Sequence, residues 1–214
     1  MKTIKRLGAL TAMGALAFSM AACGSSSTPS STSSSAAPTT SAAASDGVTT
    51  ASQVFGAACS KLPQGDMPGG LTSMGPQPVA SAASTNPLLT KLVAAVKSVP
   101  GLADTLNSAP AITVYAPYDG AFDALGAPTV NALLQDPTKL APILQYHVTG
   151  KRYDKDGLLK AGSTTSLTGG SVKVAASGDT LALTDAKGNT ATVLCGNIPT
   201  KNATVFVIDK VLMS

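Results

Sequence analysis

The chain has 214 residues, with 15 Lys and Arg against 11 acidic residues and a single histidine. Three of the basic residues fall within the first six positions, so the remainder is close to neutral and carries no basic footprint for nucleic acid. Glutamate is absent, so every side-chain carboxylate is a short Asp, a residue suited to caps and turns.

Residues 1–22 read as a lipoprotein leader. Lys2, Lys5 and Arg6 precede an apolar run over 7–18, which is shorter than the roughly 20 residues a membrane span needs. Ala21 and Ala22 then stand before Cys23, the thiol expected to carry a diacylglyceryl anchor; the alternative is an ordinary secretory leader with a chance cysteine. Residues 23–45 continue as the lipidated cysteine and a Ser/Thr/Ala-rich tether without charge, aromatic ring or large aliphatic side chain. Such a composition offers too little apolar surface to offset the entropy of ordering.

Residues 46–78 read as an extension wrapped on the domain, with a helix-like run at 54–59 and then a stretch rich in Pro and Gly. Once Cys23 is lipidated, Cys59 and Cys195 are the remaining thiols of an exported chain. A Cys59–Cys195 bridge is the economical reading, with two buried free thiols as the alternative.

The domain proper is expected over 79–214. Asn86-Pro87 reads as a cap and first helical position, followed by Leu89, Leu92, Val93 and Val96 at helical spacing, with Pro100-Gly101 as the stop. Leu102 and Leu106 form the inward face of a second short helix. Residues 111–122, AITVYAPYDGAF, combine a strand, a corner at Pro117 and a helix expected to be capped by Asp119. Thr129 and Asp136-Pro137 read as further helix starts, and Pro142 should kink or restart the second of these. From 151 onward the texture is that of short strands, at TTSL, SVKVAA, TLALT, TATVLC and TVFVI, separated by Gly-containing turns. Helices first and strands later define an α+β domain.

Chemistry finds little to work with. His147 is the sole histidine, no G-x-S-x-G elbow accompanies it, and its position between Tyr146 and Val148 suits a buried ring whose nitrogens satisfy backbone groups. One histidine and no paired CxxC cannot build a zinc site. Asp154-Lys155-Asp156-Gly157 departs from a calcium loop in its early glycine and missing Glu, and reads as a polar turn. Gly169-Gly170 lacks phosphate-loop spacing. No metal, cofactor or catalytic residue is expected. The Asn202-Ala203-Thr204 triplet reads as turn and strand chemistry.

The stretches ITVYAPYDGAF and TVFVIDKVL, with Tyr146-His147 between them, resemble the two boxes and central Tyr-His pair of the fasciclin domain. The likeness covers residues 79–214 and extends to bacterial lipoproteins and secreted antigens of that family through PVASAASTNPLLTKLV, GLADTLNSA, ILQYHV and VLCGNI. Departures fall at Tyr118-Asp119-Gly120 and at Pro142. The resemblance implies a single α+β fasciclin-like domain, with helices of its N-terminal half packed on a β-rich C-terminal half. It also implies a non-catalytic module at the cell surface, acting in adhesion or in binding an extracellular protein, matrix or glycan. Tyr118, Asp119, Tyr146 and His147 become the candidate interaction region. A surface-tethered carrier of a small molecule is the alternative, which would require an apolar pocket.

Overall fold

The computed structural model describes residues 46–214, so the leader, Cys23 and the tether lie outside the described residues. The extension is not the helix-like run its composition suggests. It forms two separate 3-10 turns, Ala51–Gln53 and Ala57–Lys61, because Phe55 between them is drawn into an antiparallel bridge with Gly196. Helix α1 (Leu71–Met74) follows, and then α2 (Val79–Thr85), α3 (Thr90–Ser98) and α4 (Leu102–Ser108). The α3 start falls three residues later than Pro87. Asn86 uses its side chain to accept from the Leu88 N–H, forming a tight turn that delays the helix.

Strand β1 (Ile112–Pro117) leads into α5 (Asp119–Leu125), α6 (Ala127–Gln135) and α7 (Pro137–Tyr146). Helix α6 begins at Ala127 with Pro128 in its first turn, so Thr129 lies inside the helix and does not cap it. Asp136 does cap α7, accepting from the Lys139 N–H. Pro142 neither stops nor divides α7. It lies on the exposed face, and Thr138, whose carbonyl loses its helical partner there, is also exposed to water.

Strand β2 (Val148–Thr149) is followed by α8 (Lys155–Ala161), a helix unexpected from the sequence. The Asp154 carboxylate accepts from the Gly157 N–H at 2.8 Å, so the Asp-Lys-Asp-Gly stretch is a helix N-terminus and not a polar turn. The remaining strands are β3 (Ser163–Thr165), β4 (Ser171–Ser177), β5 (Thr180–Thr184), β6 (Thr190–Pro199) and β7 (Ala203–Ile208).

The seven strands form one sheet in the order β2-β1-β7-β6-β5-β4-β3. β1 and β7 run parallel, with Ile112 opposite Ala203 through Pro117 opposite Ile208. Pro117 is thus the last residue of the strand. All other strand pairs are antiparallel. The two outer strands approach one another at a Thr149↔Ser166 bridge, so the sheet curls back on itself.

Curling explains why β1 and β7 read as almost continuously apolar. Ile112, Val114 and Ala116, with Ala203, Val205 and Val207, face the helical layer and pack with Leu92, Leu102, Phe122 and Leu144. Tyr115, Phe206 and Ile208 face the other way, into a second core inside the curled sheet with Leu158, Leu181 and Leu183. Both faces of these central strands are buried. The first core includes Leu62 and Met74, so the extension contributes packing as well as a covering. Gly196 is required where the extension meets β6, because a Cβ there would come within 2.4 Å of the Phe55 ring.

Candidate functional site

The corner between β1 and α5 is held by an exchange of caps. Tyr118, not Asp119, occupies the N-cap position of α5, and Asp119 already belongs to the first turn. The Asp119 carboxylate is turned toward α3 instead, where Oδ1 accepts the Lys91 N–H at 2.8 Å and Oδ2 accepts the Thr90 hydroxyl. Asp119 therefore satisfies the exposed donors of a helix 29 positions earlier in sequence, reckoned to Thr90. The backbone completes the junction, since the Asp119 N–H donates to the Leu88 carbonyl at 3.0 Å.

Tyr118 is half-buried, and its side chain folds back over the start of its own helix. A Cβ on Gly120 would lie 2.3 Å from both Cζ and Oη of that ring. The unusual Tyr118-Asp119-Gly120 run is thus one device: glycine leaves room for the tyrosine, and the aspartate docks the next element. Tyr118 retains exposed surface and Asp119 is partly exposed, so both remain at the molecular boundary.

Tyr146 and His147 do not share that boundary. Their relative exposures are 0% and 2%. The Tyr146 hydroxyl donates to the Ser171 carbonyl at 2.7 Å and accepts from the Ala186 N–H at 3.0 Å, tying α7 to β4 and to the turn after β5. Burial raises its pKa. His147 Nε2 accepts the Leu212 N–H at 2.9 Å, which leaves the proton on Nδ1 to donate to the Ile143 carbonyl at 2.8 Å. Burial disfavours the imidazolium and lowers the pKa to about 4, against smaller opposing contributions from the Ile143 carbonyl and Asp185. The expected placement of this pair in a contact region is corrected accordingly: both side chains are fully engaged inside the fold and present no surface to a partner. The structure brings together Tyr118 with Asp119, and Tyr146 with His147, but only the first couple at the surface.

Asp185 anchors the same C-terminal tail. Its carboxylate accepts from Met213, Lys187 and Asn189 N–H groups, and despite burial these donors hold its pKa below the usual carboxylate value. Two further buried polar residues escaped sequence reasoning. Arg152 directs its guanidinium to the carbonyls of Thr200 and Ala203 and to the Thr204 hydroxyl, pinning the start of β7. Asn202 accepts from the Val79 N–H and donates to the Leu106 and Ala109 carbonyls, closing α2 and α4 at once. Its amide is thereby consumed inside the fold, at the turn that leads into β7. Neither role leaves a local sequence signal, because every one of these partners lies at least 48 positions away in sequence.

Cys59 and Cys195 are joined in a disulfide spanning 136 positions, which fastens the second 3-10 turn to β6. Among the described residues no three His, Cys, Asp or Glu side chains gather into a set able to hold a metal ion. An apolar cavity lies between α2, α3, α4 and α7, lined by residues such as Val79, Ala83, Val93, Val96 and Leu106. Its volume is about 70 Å³, whereas pockets for small organic ligands run to roughly 300–1,000 Å³.

Comparison with known proteins identifies the family. A model of the fasciclin domain matches residues 87–214. The immunogenic protein MPB70 of Mycobacterium bovis is 38% identical over 171 residues, covering 76% of this chain and 83% of that protein. The cell surface glycolipoprotein MPT83 of Mycobacterium tuberculosis is 37% identical over the same length, covering 76% of this chain and 73% of its own. A solved pair of such domains from the insect cell adhesion molecule fasciclin I aligns with a TM-score of 0.49 and 23% identity, over 58% of this chain and 45% of that one. With its two boxes on neighbouring parallel strands and its Tyr-His pair locked beneath them, the chain belongs to the fasciclin family.

Proposed function

We propose that this protein is a non-catalytic binding module displayed outside the cytoplasm, anchored through a lipid on Cys23 and held off the membrane by residues 24–45. Its partner is an extracellular or cell-surface protein, matrix component or glycan. The names of its relatives, an immunogenic protein and a cell surface glycolipoprotein, support the location. The observation that carries the absence of catalysis is His147: both ring nitrogens of the only imidazole are spent on backbone groups, so neither is free to move a substrate proton.

The contact region is the corner at Tyr118 and Asp119, the part of the expected region that reaches the surface. Tyrosine offers contact area with few rotors to freeze. Capture of partners from extracellular material on the immobilised exported chain tests the reading. Tyr118→Ala should weaken capture while melting changes by less than about 5 °C. A larger fall in melting would assign Tyr118 to packing, and unchanged capture with an intact fold would move the contact region elsewhere. The anchor is tested separately: Cys23→Ala should release the protein from membranes or block its processing, and an unaltered chain found mainly in the medium with a free Cys23 thiol would refute it.

A further inference from the structure

The apolar cavity among the helices has the size and lining of a receptor for one side chain. Asn107 ties α4 to the start of α2, its side-chain oxygen accepting the Ala80 N–H at 2.9 Å and the Ser81 N–H at 3.4 Å, and Asn202 holds the Val79 N–H beside them. Hydrogen bonds thus join the helices at this end, and the small side chains of Ala80, Ala83 and Ala103 leave the space between them and α3 unfilled. Val93 and Val96, like these alanines, are only partly buried, so the cavity opens to solvent. It also reaches the sheet: Val114, in the middle of β1, is 9% exposed, against 3% and 1% for Ile112 and Ala116 on the same face.

Volume decides what fits. A water-sized group takes up roughly 10–15 Å³ of such space, so about 70 Å³ admits about five non-hydrogen atoms, the size of a Leu, Ile or Met side chain. The lining decides its polarity. Aliphatic groups make most of it, and His147, which also lines it, has both ring nitrogens engaged by backbone groups and no hydrogen bond left to offer. A sugar hydroxyl entering here would lose its water without gaining a partner, whereas an alkyl group gains dispersion contacts with walls already in place. Lys97, exposed on the last turn of α3, is the charged residue of the lining, and the ion pairs among the described residues do not include it.

We infer that this cavity receives one aliphatic side chain of a protein partner, a Leu, Ile or Met whose neighbours in the partner carry carboxylates toward Lys97. In protein interfaces a few anchors seated in dry, well-packed pockets carry most of the binding energy, and complementary charge at the rim selects among partners. The inference rests on the surface-binding reading and narrows the partner to a protein, while the cavity itself is testable apart from that reading.

The test is NMR titration of the isotope-labelled exported chain with acetyl-Ala-Asp-Leu-Asp-Ala-amide, with the same peptide carrying Ala in place of Leu, with acetyl-Ala-Lys-Leu-Lys-Ala-amide, and with octanoate. The first peptide should shift the methyl resonances of Val93, Val96 and Leu106 saturably, and replacing its Leu by Ala should weaken binding about tenfold or more. The Lys-flanked peptide should bind less tightly than the Asp-flanked one, and Lys97→Glu should reverse that order. Ala83→Leu, which fills the cavity from within, should abolish the methyl shifts; if it does not fold, Lys97→Glu, at an exposed position, decides the case. No shifts, shifts located elsewhere, equal binding of the Ala peptide, an order unchanged in Lys97→Glu, or undiminished shifts in a folded Ala83→Leu would each overturn the inference. So would octanoate binding more tightly than the Leu peptide, which would make the cavity a site for free alkyl carboxylates. A silent titration with partner capture intact removes the cavity and leaves surface binding standing; saturable peptide binding without capture of any extracellular partner does the reverse.

Discussion

The burial of His147 predicts a specific loss of stability in mildly acidic solution. The ring is neutral in the folded protein, with a pKa near 4 against 6.5 for an unconstrained histidine. Below pH 6.5 the unfolded chain takes up a proton that the folded chain refuses, so stability present at neutral pH is lost as pH falls from 6.5 toward 4. The full loss is about 3 kcal/mol, and about 2 kcal/mol of it should have appeared by pH 5. Such a change is a large part of the ~5–15 kcal/mol that holds a domain folded. No other histidine is present to blur the window. Asp136 and Asp185, whose pKa values are lowered from 3.8, act in a separate window: their stabilisation is present above that value and disappears only as pH falls through their folded pKa values. Urea unfolding of the wild type at pH 7 and pH 5 measures the difference, and His147→Gln should be less stable at pH 7 but nearly flat between the two. An unfolding free energy that does not change between pH 7 and 5, or an imidazole resonance titrating near 6.5, would refute the assignment of His147 as a buried neutral tie between Ile143 and Leu212.

Other outcomes follow from the same geometry. Asp119→Ala should cost about 1 kcal/mol in chemical denaturation by uncapping α3, and hydrogen exchange should quicken at Lys91; exchange unchanged there would contradict the cap. Gly120→Ala should displace the Tyr118 ring, read as a shift of its aromatic NMR resonances with the helix retained, and unshifted resonances would show that the ring does not lie over this glycine. Cys59→Ser should lower the melting temperature without unfolding the domain, since the chain-entropy gain of closing so long a loop is up to ~5 kcal/mol. Mass spectrometry of the unreduced protein should find Cys59 and Cys195 peptides joined, and ready alkylation of both thiols without reductant would oppose the bridge. Asn202→Ala, which frees the Val79 N–H and the Leu106 and Ala109 carbonyls inside the protein, should cost at least ~2 kcal/mol; a neutral effect would show that these groups find other partners.

Much of this protein was legible because the relevant physics is local. Val, Ile and Phe crowded into 203–208 favour an extended backbone whatever lies around them, and Asp136-Pro137 carries its cap and its helical φ within two residues. The engagement of the His147 ring nitrogens by backbone groups also followed from its neighbours in sequence. Reading Cys23 as lipidated and the chain as exported left two cysteines, and compartment and count then pointed to the bridge.

Tertiary structure decided where side-chain groups with several short-range options went. Asp119 could have capped its own helix; the approach of α3 brought the Lys91 N–H and Thr90 hydroxyl to its carboxylate, and it turned there. Asn86 could have opened a helix at Pro87 but closed a turn. The helix at Lys155–Ala161 was hidden because an Asp-Lys-Asp-Gly start reads equally as a turn until Leu158 finds the inside of a curled sheet to bury against. The two-sided burial of β1 and the exclusion of Tyr146 from the surface have the same origin. An amino-acid sequence specifies which groups seek water or one another over a few residues, but the partner 29 or 136 positions away is set by how the sheet closes.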